Sequence, residues 1–244
     1  MNKRTVFITG ASRGIGRAIA LAFARLGDNV ALNCLERLDL LDETARAAEA
    51  AGAVAIKTPC DVSDYNAVKA AVDAAVAEFG RIDVLVNNAG AAHIGPFNLM
   101  EPGEWRRLID VNINGTLNAS RLVLPGMLAR REGCIINVSS IWGLTGASCE
   151  AVYSMTKGAV NAFTKALAKE TAPNGVRVNA IACGVIDTEM NAFLSPAERD
   201  ELVANIPASR MGRPEEAAEL ALFLASGNAA YLTGQIIVLD GGMI

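Results

Sequence analysis

Residues 5–20 read TVFITGASRGIGRAIA, a β-branched run followed by a glycine-rich turn and a segment with the apolar spacing of a helix. Gly10 permits a tight turn after the strand, and Gly14 and Gly16 let the backbone approach an anionic group closely. The unpaired N–H groups at the start of the helix would face that anion. Glycines also serve such turns for steric reasons alone, but their position between a first strand and a first helix predicts a nucleotide site.

The same alternation of short β-branched runs and longer helical segments continues along the chain. Strands are predicted at 4–9, 29–34, 53–58, 82–86, 134–138, 176–181 and 236–239. Helices are predicted at 14–26, 39–51, 64–79 (capped by Ser63), 103–130, 151–172 and 214–226. Several strand candidates are continuously apolar, which is typical of strands covered on both faces. The pattern predicts one α/β domain over residues 1–244, with a Rossmann-like, doubly wound parallel sheet of about seven strands.

One segment, 187–212, does not follow the alternation of strands and helices. It comes after the sixth predicted strand, and ligands bind beyond the carboxyl ends of the strands in such sheets. We therefore predict that 187–212 forms a lid over the site.

The composition argues against several classes of function. The 244 residues carry a formal net charge of −4, whereas a nucleic-acid-binding surface needs a basic face. No apolar run approaches the roughly 18 residues needed to span a bilayer, and the strand-like run at 5–9 begins too early for a signal peptide. The five cysteines are dispersed without metal-ligand spacing and are interpreted as small buried residues in a reducing compartment. We expect a cytoplasmic protein that binds no nucleic acid, membrane or metal.

A tyrosine and a lysine four residues apart, Tyr153 and Lys157, lie on one face of a predicted helix. A free phenol has a pKa of roughly 10. A neighbouring ammonium would lower that pKa toward the range that is efficient for acid–base catalysis. Ser140, thirteen residues before the tyrosine, would hold the oxygen that gains or loses the proton. On its own the pair also fits a half-buried aromatic residue beside a solvated lysine, so the rest of the chain decides between the two interpretations.

The choice of nucleotide depends on the residues after the second predicted strand. A free adenosine ribose is usually bound by a carboxylate about 20 residues beyond the glycine turn, and Cys34 stands near that position. Arg13 in the glycine turn, and Arg37, carry guanidinium groups that suit a 2′-phosphate. Glu36, beside Arg37, is an alternative partner for the ribose. These residues favour NADP(H) over NAD(H).

Five separated motifs occur in order along the chain. They are the glycine turn from Thr9 to Gly16, Asp61-Val62 after the third strand, Asn87-Asn88-Ala89-Gly90 after the fourth, Ser140 after the fifth, and Tyr153 to Lys157 on the next helix. Because these motifs occur in this order, the chain resembles the short-chain dehydrogenase/reductase family over essentially its whole length. The resemblance implies a seven-stranded parallel sheet with helices on both faces, in a homotetramer or homodimer.

The resemblance also implies roles for individual residues. The catalytic tetrad would consist of Asn112, Ser140, Tyr153 and Lys157. Asn112 is chosen over Asn114 by its place in the Asn-x-x-Gly pattern, and Ser140 over Ser139 by its spacing to Tyr153. The nicotinamide cofactor would be bound by Gly10, Ser12, Arg13, Gly14, Ile15, Gly16, Asp61, Val62, Asn88, Ala89, Gly90, Tyr153, Lys157, Ile186 and Thr188. Within that set, Asp61 and Val62 would hold the adenine, and Thr188 would contact the nicotinamide amide.

The end of the sixth strand departs from the family pattern. The family usually has Pro-Gly at this point, whereas this chain has Cys183-Gly184. Because proline would stiffen the turn, the cysteine puts the rigidity of the loop in doubt more than the chemistry. Two interpretations are open: the thiol simply packs, or it lies near the nicotinamide.

Within the family, the chain is most similar to the 3-oxoacyl-acyl-carrier-protein reductases of fatty acid biosynthesis, through its ending at 231–242, its length and its lid segment. The resemblance implies NADPH-dependent reduction of a 3-oxoacyl thioester to the 3-hydroxyacyl form, with Tyr153 as the general acid. Sugar, polyol and hydroxysteroid dehydrogenases use the same machinery and are the main alternative. A non-catalytic dinucleotide-binding module is a third, which would not need the whole tetrad.

The surroundings of the substrate are less clearly marked in the sequence. The pocket is expected from 92–98, 141–152 and 187–210. The first of these contains His93, the only histidine, which either contacts the substrate or, as is more common for a lone histidine in a loop, is structural or solvated. Arg130 and Arg131 either meet an acidic carrier protein or form an ordinary cationic helix end.

Overall fold

The computed structural model describes residues 3–192 and 194–244. Within these ranges the strands are β1 Thr5–Ile8, β2 Asn29–Leu32, β3 Ala55–Lys57, β4 Val84–Asn87, β5 Gly133–Ser140, β6 Val176–Cys183 and β7 Ile236–Leu239. They form one seven-stranded sheet in the order β3-β2-β1-β4-β5-β6-β7, and every neighbouring pair is parallel. Each strand overlaps a predicted one, and the predicted fold class is confirmed.

The helices are α1 Gly14–Arg25, α2 Leu38–Ala50, α3 Tyr65–Phe79, α4 Pro102–Ile109, α5 Gly115–Arg130, α6 Trp142–Thr145, α7 Ala151–Thr171, α8 Pro196–Ala204 and α9 Pro214–Ala225. Short 3₁₀ turns lie at Phe97–Leu99, Ala172–Asn174, Glu189–Asn191 and Gly227–Ala229. The predicted cap of α3 is wrong by one residue. Asp64, not Ser63, accepts the N–H groups of Asn66 and Ala67, at 2.8 and 3.1 Å. None of the helices in the described ranges has the length and apolarity that a membrane crossing requires.

The two faces of the sheet bury two separate hydrophobic cores. Along β1, Val6 and Ile8 belong to the core covered by α1, α2 and α9, whereas Phe7 belongs to the core covered by α3, α5 and α7. This division follows from the two-residue period of a strand, which sends successive side chains to opposite faces. Because both faces are covered, the strands need no polar side, which accounts for the continuous apolar runs in the sequence.

The single helix predicted at 103–130 is wrong. α4 ends at Ile109, and a π-helical turn, Asp110–Asn114, leads into α5 at Gly115. Wide turns of this kind are frequent at functional sites. A Cβ atom on Gly115 would lie 2.6 Å from Cγ2 of Val62, so only glycine lets α5 start this close to the loop after β3. Five residues are too few to reveal a changed helical period in a sequence.

The segment predicted as a lid, 187–212, contains the Glu189–Asn191 turn and α8. Its two ends meet, because Ile186 and Gly212 form an isolated parallel bridge and the Asp187 N–H donates to the Gly212 carbonyl at 2.8 Å. Phe193 lies outside the described residues. The segment is thus anchored at its base, and its action as a lid stays a prediction.

A buried chain of polar side chains links the middle of the sheet to two helices. The Asn87 amide donates to the Ser120 hydroxyl at 3.0 Å and to Asn137 Oδ1 at 2.8 Å. The Asn137 amide in turn donates to the Thr164 hydroxyl at 2.8 Å. These side chains come from α5, β4, β5 and α7, and all four are buried. Because these buried side chains are linked to one another by hydrogen bonds, they fix how α5 and α7 pack on the sheet.

We expect Asn137→Ala to lower the free energy of unfolding by about 2–3 kcal/mol, because Asn87 loses an acceptor and Thr164 loses a donor inside the core. Thermal unfolding of the purified variant measures the loss, as a fall in Tm of roughly 5–10 °C. Asn228→Ala is the matched control, since Asn228 is exposed. Equal Tm values for the two variants would show that the polar chain contributes nothing to stability.

Candidate active site

The glycine turn is braced by the loop that follows β4. It lies at the carboxyl end of β1, where the strand order reverses between β1 and β4. The Asn88 amide donates to the carbonyls of Thr9 and Gly10, each at 3.0 Å. The Thr9 hydroxyl accepts the N–H groups of Asn88 and Ala89, also at 3.0 Å. These bonds fix the turn against the neighbouring strand.

The turn leaves no room for side chains where the backbone must face a ligand. Gly10 has a φ of 66°, and a Cβ atom there would lie 2.8 Å from Asn88 Nδ2. A Cβ atom on Gly16 would lie 2.2 Å from the Gly10 carbonyl oxygen. No side chain in the described ranges caps α1, so its first N–H groups remain available as donors. This donor set fits the diphosphate of a dinucleotide.

Three of the predicted cofactor residues lie mainly in the protein interior. Ser12 is buried, and its carbonyl accepts the Thr44 hydroxyl at 3.3 Å. Ile15 packs against the core of α1, α2 and α9, and Ile186 belongs to that core. Thr188, by contrast, lies over the glycine turn, since a Cβ atom on Gly14 would be 3.3 Å from its Cγ2.

Asp61 and Val62, the residues predicted to hold the adenine, are held in place by contacts with neighbouring side chains and backbone. Asp61 Oδ1 accepts the hydroxyl and the N–H of Ser63, at 2.7 and 2.9 Å, and its Oδ2 accepts from Arg107 at 2.8 Å. Burial raises the pKa of Asp61, but the bonds from Ser63 and Arg107 outweigh it and leave the pKa below its ordinary value. Val62 is buried against Gly115. The loop after β3 is therefore rigidly held by these contacts.

Ser140, Tyr153 and Lys157 come together at the carboxyl end of β5. Ser140 is the last residue of that strand, and Tyr153 and Lys157 lie on α7. The Ser140 oxygen accepts the N–H of Trp142 at 3.1 Å, and its hydroxyl lies close enough to Tyr153 to oppose the rise of the phenol's pKa. Lys157 Nζ lies 5.7 Å from the centre of the Tyr153 ring and donates to the Val138 carbonyl at 2.9 Å.

Asn112 reaches the same place from the π-helical turn. Its amide oxygen accepts the Ala91 N–H at 2.8 Å, and its amide nitrogen donates to the Ala91 carbonyl at 2.9 Å and the Thr156 hydroxyl at 3.0 Å. A Cβ atom on Gly90 would lie 3.4 Å from Asn112 Oδ1 and 3.6 Å from Lys157 Nζ, so the two side chains face each other across this glycine. The structure thus brings all four predicted tetrad residues together.

The neighbouring candidates lie elsewhere. Asn114 donates to Asp110 at 2.9 Å within its own turn. The Ser139 hydroxyl donates to the Lys157 carbonyl at 3.4 Å and supports α7 from below. The sequence did not single out Thr156 or the Val138 carbonyl, which hold Asn112 and Lys157. A backbone carbonyl carries no sequence signal, and a threonine inside a helix is too common to attract attention.

Burial controls the protonation of the two ionisable groups. It raises the pKa of Tyr153 above its ordinary value; the nearby Ser140 hydroxyl opposes the rise, and Glu150 adds to it. It lowers the pKa of Lys157 to about 8. The expectation that the ammonium lowers the pKa of Tyr153 is therefore wrong for this arrangement. Lys157 lies over the ring and directs Nζ to the Val138 carbonyl.

All five cysteines are unpaired, and Cys34, Cys134 and Cys183 are buried. Burial raises the pKa of the Cys183 thiol to about 12. Cys183 thus packs in the core, and it also lies near Tyr153 and Lys157, whose pKa values its charge would affect. In the described ranges no group of three or more His, Cys, Asp or Glu residues is arranged to hold a metal ion.

A surface cleft beside Tyr153, too narrow in this structure to admit a water molecule, is the candidate substrate site. Its lining includes His93, Gly95, Phe97, Met100, Cys149 and Val152. Two of the three predicted pocket segments thus contribute. His93 Nδ1 lies 3.5 Å from Oε1 of Glu104. Arg130 and Arg131 donate to the carbonyls of Ile82 and Pro173, at 2.6 and 2.9 Å, so both side chains support the fold.

Comparisons with known proteins agree with this geometry. The family model described as Enoyl-(Acyl carrier protein) reductase matches residues 10–244. The chain is similar to the 3-oxoacyl-[acyl-carrier-protein] reductase FabG of Thermotoga maritima, with 39% identity over 241 residues, which is 99% of this chain and 98% of the relative.

Two solved structures from Brucella melitensis are also similar to it. One is a 3-oxoacyl-[acyl-carrier protein] reductase with a TM-score of 0.92 and 41% identity, covering 99% of this chain and 92% of the other. The second, a reductase of the same description with bound NAD, has a TM-score of 0.90 and 40% identity, covering 99% and 91%. With the ordered motifs and the assembled tetrad, these matches show that the chain belongs to the short-chain dehydrogenase/reductase family.

Proposed function

We propose that this enzyme reduces the keto group of a 3-oxoacyl thioester, carried on an acyl carrier protein, with NADPH as the reductant. The meeting of the Ser140 and Tyr153 hydroxyl groups beside Lys157 carries the proposal. A pair of hydroxyl donors suits a carbonyl oxygen that gains negative charge. The relatives named as 3-oxoacyl reductases support the choice of substrate.

The four side chains divide the work of one proton transfer. NADPH, when bound, supplies a hydride to the carbonyl carbon. Ser140 already accepts the Trp142 N–H, which leaves its own hydrogen to be donated to the substrate oxygen. Tyr153 then gives its proton to that oxygen. The phenol is protonated at neutral pH, as a general acid must be, and its raised pKa makes it a weaker proton donor than an ordinary tyrosine.

Lys157 and Asn112 would restore the proton to Tyr153. Because burial lowers the pKa of Lys157 to about 8, this ammonium can release a proton near neutral pH far more readily than an ordinary lysine. Asn112 lies across Gly90 from Lys157 and is fixed by its bonds to Ala91 and Thr156. We assign Lys157 also to the ribose of the nicotinamide nucleotide.

NADPH is proposed over NADH because the guanidinium groups of Arg13 and Arg37 lie 2.5 and 3.7 Å from the same Glu189 oxygen, which brings two cations together beside the glycine turn. A relative from Brucella melitensis contains NAD, so both cofactors belong in every assay. We further propose a cytoplasmic location, supported by five unpaired cysteines.

A homotetramer or homodimer is proposed as the assembly. Large apolar side chains are exposed on several elements, among them Leu117 on α5, Met155 on α7, Phe223 on α9 and Val238 on β7. A second copy of the chain would cover such surfaces.

We expect purified protein to oxidise NADPH with acetoacetyl thioester but not with crotonyl thioester, whose reducible group is a carbon–carbon double bond. The test matters because the matching family model is described as an enoyl reductase. NADPH absorbance follows the reaction, with NADH in parallel. If the crotonyl thioester alone reacts, the carbonyl assignment is wrong. If neither reacts although the cofactor binds, the substrate lies among sugars, polyols or steroids.

Tyr153→Phe should lower kcat by about 10²–10⁴-fold, the usual contribution of a general acid. Binding of NADPH, measured by its fluorescence, should change little because the ring remains. Tyr231→Phe is the matched control, since Tyr231 is fully exposed. Wild-type turnover in Tyr153→Phe would remove the tyrosine from the mechanism.

Lys157→Met should abolish most activity without lowering stability at pH 7. The folded pKa of about 8 lies below the ordinary value of 10.5, so the folded chain binds this proton more weakly than the unfolded chain. The lysine therefore destabilises the fold fully below pH 8, and the penalty is relieved as pH rises toward 10.5. We expect the variant to gain about 1–2 kcal/mol at pH 7, after loss of the bond to Val138.

Thermal unfolding at pH 7 and at pH 10 measures this gain and its decline. Lys165→Met, on the exposed side of α7, is the matched control. A lower Tm for Lys157→Met than for Lys165→Met at pH 7 would contradict the burial penalty.

A further inference from the structure

The two arginines assigned to the 2′-phosphate share a carboxylate from a distant part of the chain. Arg13 Nη1 lies 2.5 Å from Glu189 Oε2, and Arg37 Nη1 lies 3.7 Å from the same oxygen. Arg13 belongs to the glycine turn, Arg37 precedes α2, and Glu189 opens the 3₁₀ turn of the segment 187–212. A single negative oxygen therefore stands between the two guanidinium groups.

Arg37 forms ion pairs with two acidic residues, Asp39 and Glu189, and only Glu189 also contacts Arg13 among the described residues. Asp39 lies in the first turn of α2 and is bound to Arg37 at 3.1 Å, so it accompanies the arginine wherever the loop moves. It does not contact Arg13. Glu189 alone contacts both guanidinium groups among the described residues. A 2′-phosphate held by both arginines would need the place that the Glu189 carboxylate occupies between them.

The ion pairs that Glu189 makes with Arg13 and Arg37 are exposed to solvent, so a stronger anion can displace the carboxylate. About half of each side chain is exposed: 50% for Arg13, 42% for Arg37 and 54% for Glu189. Exposed ion pairs contribute little to stability because water and salt screen them. A phosphate dianion with several acceptor oxygens binds guanidinium groups more strongly than one carboxylate does. A carboxylate and a phosphate on the same two arginines would also repel each other.

We propose that Glu189 is an internal competitor for the 2′-phosphate of NADP(H) and so sets the selectivity between the two nicotinamide cofactors. The inference rests on the proposed assignment of Arg13 and Arg37 to that phosphate. NAD(H), which has a hydroxyl group at this position, does not require Glu189 to leave. Binding of NADP(H) does, so Glu189 weakens NADP(H) relative to NAD(H).

Displacement of Glu189 acts on the segment 187–212. Thr188, its neighbour, lies against Gly14, and Asn191 of the same turn donates to the Ile186 carbonyl at 2.7 Å. The 2′-phosphate would therefore shift a turn whose first residues lie over the cofactor crevice. Recognition of the phosphate and the position of the predicted lid are coupled through this one side chain.

Equilibrium binding of two small nucleotides tests the proposal without catalysis. Adenosine 2′,5′-bisphosphate carries the 2′-phosphate, and adenosine 5′-monophosphate lacks it. We expect Glu189→Gln to tighten binding of the bisphosphate about three- to tenfold and to leave the monophosphate unchanged, as measured by calorimetry. The gain should shrink at 0.5 M salt, where the Debye length falls to a few ångströms.

Asp187→Asn is the matched control. It removes the same charge from the same segment, but Asp187 pairs with Arg199 at 2.7 Å. It should leave the ratio of the two affinities unchanged. A gain for Asp187→Asn equal to that for Glu189→Gln would show a general charge effect and overturn the proposal.

Arg13→Gln separates the inference from the assignment on which it rests. If this variant leaves the ratio of the two affinities unchanged, the 2′-phosphate does not bind at Arg13 and the proposed cofactor assignment fails. If Arg13→Gln weakens binding of the bisphosphate relative to the monophosphate while Glu189→Gln behaves as wild type, the assignment of the phosphate to Arg13 stands. The role of Glu189 is then overturned.

Discussion

The hydrogen bonds from Asn88 to the glycine turn fix the position of that turn relative to the loop that leads to the catalytic tetrad. Asn88 fixes the carbonyls of Thr9 and Gly10, and the loop that carries it continues directly to Gly90 and Ala91. The Asn112 amide oxygen accepts the Ala91 N–H, and the Asn112 amide nitrogen donates to the Ala91 carbonyl. In the proposed function, the nucleotide site and the proton-transfer site therefore both depend on residues 88–91, at the point where the strand order reverses.

Burial shifts the pKa values of the two ionisable groups of the site in opposite directions, and only the lowered pKa of Lys157 favours proton transfer near neutral pH. It holds the Tyr153 phenol in its protonated form and makes the Lys157 ammonium easier to deprotonate. Desolvation disfavours the charged form in each case, so one physical cause separates the donor from the group that restores its proton. The arrangement costs stability, because a buried ammonium satisfied mainly by the Val138 carbonyl is less stable than a solvated one.

The sequence predicted those features that depend on local pattern. The seven strands follow from apolar runs, and the place of the nucleotide turn follows from glycines between the first strand and helix. The features it missed depend on distant contacts. Nothing near Glu189 in the sequence points to Arg13, 176 residues away. The π-helical turn before Gly115 is likewise hidden, because its wide winding accompanies bonds from Asn112 to Ala91 and to α7.

The chemical state of the tyrosine shows the same limit. Spacing places Tyr153 and Lys157 on one helix face, and this is correct, but spacing does not say where Nζ points. The direction of the Tyr153 pKa depends on how much water the surrounding elements remove, which only the folded arrangement determines. The positions of tetrad residues could thus be predicted, whereas their protonation could not.

The exposure of Cys149 gives the protein a natural attachment point for a spectroscopic label. It lines the cleft beside Tyr153, its backbone has a left-handed φ of 62°, and its carbonyl accepts the Gly95 N–H at 2.8 Å. Of the other thiols, three are buried and Cys60 is half-buried beside Asn33. A thiol-reactive dye would therefore attach preferentially at the mouth of the cleft, and its emission would report on what enters there without an engineered cysteine.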